Sequence, residues 1–222
     1  MKVTAELLNY LNYRTTNVFM QETLKEIRLA LFARRNGVVA DALKASGDSH
    51  ELIMGCPLSD IIAVAKSFEP SVELAEALWA DRKHRESRLM ATMLYPTDRC
   101  EQETALRWCH DVMTEEEADV LCHRLLRRLE YAPALMMQLL DETSPQVHCI
   151  VYRKMLNLVV SQRNLHEEPS PLLRYTAFRL MMNLVVMRRI ELDPELRLTV
   201  ELELNGNTSH SMQQLLKSLL ED

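Results

Sequence analysis

Apolar positions recur along this chain at helical spacing. Phe19, Thr23, Ile27, Ala30, Leu31 and Arg34 predict a helix over residues 16–34, and Asn36-Gly37 kinks or ends it. A shorter helix follows to about Ala45, closed by Ser46-Gly47, and Pro57 suits the first turn of another that runs to about Phe68. Beyond Pro70 the predicted helices are short and evenly spaced. One set begins near Ser71, Glu101 and Tyr131, and their partners begin near His84, Thr114 and Ser144. Both sets advance by thirty residues. Equivalent positions read Ala75, Ala105, Leu135 and Trp79, Cys109, Leu139. A two-helix unit repeating at about 30 residues is the signature of an all-α, curved α-solenoid; a helical bundle with coincident lengths is the alternative. A Pro- and charge-rich interruption at 164–171 delays the next helix to about Leu172. Near the end, Glu201-Leu202-Glu203-Leu204 reads as a short strand or a frayed helix end, and Ser209 can cap a final helix through Leu220. The expected organisation is one domain over 1–222, with N-terminal helices at 1–56, repeats at 57–190 and a cap at 191–222.

Composition narrows the function classes. The 222 residues are 47% apolar and 26% charged, which excludes wholesale disorder. With only 4 Gly, neither a Gly-rich dinucleotide loop nor a phosphate-cradling loop can be written, and no cofactor is expected. The net charge is −6, and residues 190–222 carry −5 of it. That is not the strongly basic footprint of a typical nucleic-acid binder. The Cys count is odd, at 5, and no two form C-x-x-C, as expected of reduced thiols in a cytoplasmic protein. The opening Met1–Glu6 does not read as a signal peptide, and no apolar run reaches the length of a membrane span.

Three constellations could carry chemistry. Asp119, His148 and Phe178 are separated by 29 and 30 residues, so an unbroken repeat register would align a carboxylate, an imidazole and a ring on one face. Asp119, Cys122 and His123 share a helix face. Basic residues cluster at Arg82–Arg88, Arg124-Arg127-Arg128, Arg153-Lys154 and Arg188-Arg189, where they could track a phosphate backbone or answer helix C-termini. Cys109-His110 and Cys122-His123 do not predict a metal site, because neighbours on a helix point about 100° apart.

The segments Arg35-Asn36-Gly37-Val38-Val39-Ala40-Asp41-Ala42-Leu43-Lys44, Gly55-Cys56-Pro57-Leu58, Glu73–Trp79, His84–Ala91 and Trp108-Cys109-His110-Asp111 with Ala118-Asp119-Val120-Leu121-Cys122 resemble the HEAT-like repeat DNA alkylation repair glycosylases, over about residues 25–190. The resemblance implies five or six HEAT-like antiparallel helix pairs around duplex DNA, and release of cationic 3-methyladenine or 7-methylguanine. A carboxylate would stabilise the cationic sugar beside aromatic walls. Asp119 matches the catalytic aspartate. Glu115 stands where a tryptophan is expected, His148 falls near an expected DNA-contacting arginine, and Phe178 falls near a second tryptophan. The expected DNA-binding set is therefore Arg85, Arg88, Glu115, His148, Arg153, Lys154 and Phe178. The function implied is a divergent DNA alkylation repair-like protein contacting duplex DNA, with weak or absent N-glycosylase activity. The alternative is a HEAT-like protein-interaction scaffold without DNA binding, and neither reading involves a membrane.

Overall fold

Leu24, Ile27 and Leu31 form one buried stripe on a helix over residues 18–32 (α1). It ends as Arg34 and Arg35 donate to the carbonyls of Ala30 and Phe32, closing the last turn with cations. This is a computed structural model, and it describes residues 18–143, 170–206 and 208–221. Every element assigned among those residues is helical: α2 Gly37–Ala45, α3 Leu58–Ala65, α4 Val72–Trp79, α5 Arg85–Leu94, α6 Gln102–His110, α7 Glu115–Arg124, α8 Ala132–Thr143, α9 Pro171–Val186, α10 Pro194–Leu204 and α11 His210–Leu220. Three-residue 3₁₀ turns lie at Thr97–Arg99 and Leu126–Arg128. The chain divides into two compact units, Met1–Arg99 and Cys100–Asp222.

The thirty-residue period is that of the helices themselves. α4, α6 and α8 begin at 72, 102 and 132, and α5 and α7 begin at 85 and 115. Ala75, Ala105, Leu135, Trp79, Cys109 and Leu139 are all buried. The caps explain the starts. Ser71 and Thr114 side chains accept N–H bonds from Leu74 and Glu117, three residues on.

In the N-terminal unit α4 and α5 are antiparallel, with Ser71 N–H donating to Leu94 O at 3.0 Å. Asn36 does not kink α1; its side chain caps α2 through Val38 and Val39 N–H. The loop from α2 to α3 passes close to that cap. A Cβ on Gly55 would lie 2.1 Å from Asn36 O, and Gly55 φ is +73°, so only glycine fits. Glu86, fully buried, holds the same loop: its carboxylate accepts from Met54, Gly55 and Cys56 N–H and from Arg85 Nη1 at 2.9–3.2 Å. Arg88 lies 3.9 Å over the Trp79 ring and donates to Trp79 O at 2.6 Å. Arg85 and Arg88, expected to contact phosphate, both lie in the interior of this unit. They are 3% and 0% exposed, because acceptors on α5, α4 and the α3 loop draw both guanidinium groups inward.

In the C-terminal unit α6 and α8 run parallel, as successive repeats of a solenoid do. Tyr131 OH donates to Cys100 O at 2.6 Å at their starts, and His110 Nε2 meets Glu142 Oε2 at 2.9 Å at their ends. α9 packs on both α7 and α8. Arg197 Nη1 donates to Leu220 O, so α10 and α11 form an antiparallel pair. Residues 201–204, read as strand or frayed helix, complete α10, which Asp193 caps through Glu195 and Leu196 N–H. Ser209 caps α11 by accepting from Met212 N–H.

The Glu86 cluster generates a prediction. Glu86→Ala removes the acceptor of three loop N–H groups and the carboxylate beside Arg85. Unfolding of the N-terminal unit in denaturant is expected to be easier by about 3–5 kcal/mol. Gly55→Ala should destabilise the same loop by collision with the Asn36 backbone.

Candidate functional site

The helix carrying Asp119 begins with a reciprocal cap. Thr114 Oγ1 accepts from Glu117 N–H at 3.1 Å, while the buried Glu117 carboxylate accepts from Met113 N–H at 2.8 Å. Glu115, Glu116 and Glu117 occupy the first turn, where negative charge suits the helix dipole. One turn later Asp119 shares the face of Glu115 and points at α9. Its Oδ1 accepts from Tyr175 OH at 2.9 Å, and Arg179 Nε lies 2.8 Å away. Tyr175 and Arg179 are one turn apart on α9, so the packing of α7 on α9 places both on one carboxylate oxygen.

The electrostatics of the triad follow from its half-buried position. Burial pushes the Asp119 carboxyl up. Arg179 and the Tyr175 hydrogen bond pull it down, Glu115 and Glu116 push it up again, and the net displacement from 3.8 is upward. The Tyr175 hydroxyl is raised by burial and then by Asp119, so it stays protonated and remains the donor. A carboxylate held this way already has its countercharge: Arg179 occupies the electrostatic role that a developing sugar cation would need to fill.

The other expected site residues are distributed differently. Glu115 Oε1 accepts from Ser209 Oγ at 3.3 Å, which ties it to the cap of α11. Phe178, expected as an aromatic wall, is fully buried. Its helix is covered on nearly all sides, burying Leu173, Ala177, Leu180, Met181 and Leu184 as well, so the ring belongs to the core. His148, Arg153 and Lys154 lie outside the described residues. Tyr175 and Arg179, which complete the Asp119 site, escape a reading based on thirty-residue spacing; their signal is a Tyr-x-x-x-Arg step on the helix opposite.

A second polar cluster lies at the C-terminal end of α7. His123 Nε2 accepts from Arg127 Nη2 at 3.2 Å, and Arg127 Nη1 reaches Asn183 Oδ1 at 3.5 Å. Burial and then the neighbouring Arg127 and Arg124 hold His123 below its usual range, and burial with Arg128 and Arg124 does the same to Arg127. Arg189 forks onto the carbonyls of Arg127, Leu129 and Glu130.

Among the described residues Cys56, Cys100, Cys109 and Cys122 are buried, and burial raises the Cys56 thiol to about 11 and the Cys109 and Cys122 thiols as well. Among the described residues no group of three or more His, Cys, Asp or Glu is placed to hold a metal. No helix among them is long and apolar enough to cross a membrane.

No family model, curated protein or solved structure matches this chain.

The Asp119 site makes a pH prediction. An acid whose folded value is raised binds its proton more readily in the folded state. Its favourable contribution is therefore full below 3.8 and is lost as pH rises through the folded value. Asp119→Asn removes this titration while keeping an acceptor for Tyr175. In urea unfolding across pH 3–7, the stability of Asp119→Asn relative to wild type is expected to improve as pH rises.

Proposed function

We propose that this chain is a non-catalytic helical-repeat scaffold that binds a protein partner, and that the glycosylase chemistry expected of Asp119 is not carried out here. The observation that carries this reading is the inward commitment of the expected reactive residues. Asp119 is paired with Arg179 and bonded by Tyr175, Phe178 is in the core, and Arg85 and Arg88 are core cations. A glycosylase of the kind the sequence motifs resemble needs an available carboxylate, an aromatic surface beside the sugar, and cations that reach phosphates. The net charge of −6 points the same way. Exposed apolar side chains on α1 support a protein partner: Phe19, Leu29 and Phe32 are each more than half exposed.

Base release from methylated duplex tests the reading. Wild type and Asp119→Asn should both release 3-methyladenine and 7-methylguanine at the spontaneous rate. The substitution should change only stability. Release above that rate by wild type, lost by a factor on the order of 10²–10³ in Asp119→Asn, overturns the proposal.

A further inference from the structure

We propose that His123, Arg124, Arg127 and Arg128 form a binding site for a small polyanion of the phosphate class, at the end of α7 and the 3₁₀ turn that follows. This inference goes beyond the scaffold reading and does not depend on it.

Four residues within six positions carry three permanent positive charges and an imidazole. His123 and Arg128 are exposed, while Arg124 and Arg127 are half-buried, so the cluster has an open rim and a sheltered floor. On that floor the Nε atoms of Arg124 and Arg127 are buried and have no hydrogen-bond partner among the described residues. The protein itself covers these two atoms, so the rim of the cluster is what an incoming anion meets. No carboxylate among the described residues forms an ion pair with Arg124, Arg127 or Arg128.

The ordinary explanation for such a cluster is that the arginines answer the last carbonyls of α7. No bond of this kind is seen from these arginines among the described residues, and Arg189 takes the carbonyls of Arg127, Leu129 and Glu130, in and just beyond the 3₁₀ turn. Arg127 instead turns to Asn183 Oδ1 and the His123 ring. Burial and then the crowding of like charge depress Arg127 and His123, and an anion would relieve the crowding.

The chemistry of the ligand follows. Guanidinium forks match phosphate oxygens in pairs, and those of Arg124 and Arg128 together suit an anion with two or more charges rather than a single carboxylate. A small ligand fits better than a nucleic-acid backbone. A backbone track needs cations on successive repeats, and the preceding cluster contributes Arg85 and Arg88 to a core. The phosphate groups can belong to free pyrophosphate or to a nucleoside diphosphate.

Calorimetric titration of the full chain with inorganic pyrophosphate and with ADP, at fixed ionic strength, tests the site. Saturable one-to-one binding is expected. ADP tighter than pyrophosphate identifies a nucleotide, and equal affinities identify the bare anion. Arg124→Gln with Arg128→Gln should weaken binding by about tenfold or more, equivalent to about 1.4 kcal/mol. Arg124→Lys with Arg128→Lys, which keeps charge but loses the fork, should fall between. Exposed Lys66→Gln with Arg99→Gln should leave affinity unchanged. Circular dichroism melts establish that each variant is folded, and the single Arg128→Gln, at an exposed position, serves if the double variant is not. The proposal is overturned by absence of saturable binding, by equal affinity in wild type and the Gln variants, or by binding of duplex DNA alone.

Discussion

The C-terminal unit depends on hiding almost the whole circumference of α9. This helix packs against α6, α7, α8 and α11, and it buries nine of its sixteen residues. Burying one large apolar side chain contributes roughly 1.5–3 kcal/mol, so a helix with Leu173, Phe178, Leu180, Met181 and Leu184 enclosed anchors everything around it. Polar side chains on such a helix must then find partners at its edges. Tyr175 and Arg179 find Asp119, Asn183 bonds Arg179 O, and Arg174 lies 3.6 Å from Glu203 on α10. The carboxylate that looks catalytic in sequence is therefore part of how α9 is received by α7.

The two units solve a common problem alike. Each has a helix preceded by a chain segment whose N–H groups cannot be met by another helix, and each spends a fully buried glutamate on them. Glu86, second in α5, reaches three N–H groups of residues 54–56; Glu117, third in α7, reaches Met113 N–H. Buried carboxylates in this chain are thus ligands of the backbone. Their cost of desolvation is offset by charge-assisted hydrogen bonds.

The helices were legible because their signals are local. Ser71, Thr114 and Ser209 are caps whose N–H donors lie three residues on, and the thirty-residue spacing needs only the sequence to be seen. The direction of long side chains was not legible, because it is set by distant partners. Arg88 turns in towards Trp79, nine residues back, and Arg85 towards Cys56 O, twenty-nine back. Repeat spacing relates Phe178 to Asp119 by backbone register alone; it carries no information on how many helices will cover α9. At 201–204 the alternation of Glu and Leu was misleading over four residues. The buried Leu196, Thr199 and Val200 show the helical period over the longer segment.

The buried cysteines give each unit its own clock. Thiolate is the reactive form, and Cys56, whose Sγ donates to Leu31 O at 3.2 Å, is both enclosed and raised to about 11, so its native-state population of thiolate is very small. Modification of Cys56 must therefore wait for the N-terminal unit to open, and modification of Cys109 or Cys122 for the C-terminal unit to do so. The rates at which a small thiol reagent consumes them report how readily the surroundings of each thiol open, without any label having to be introduced.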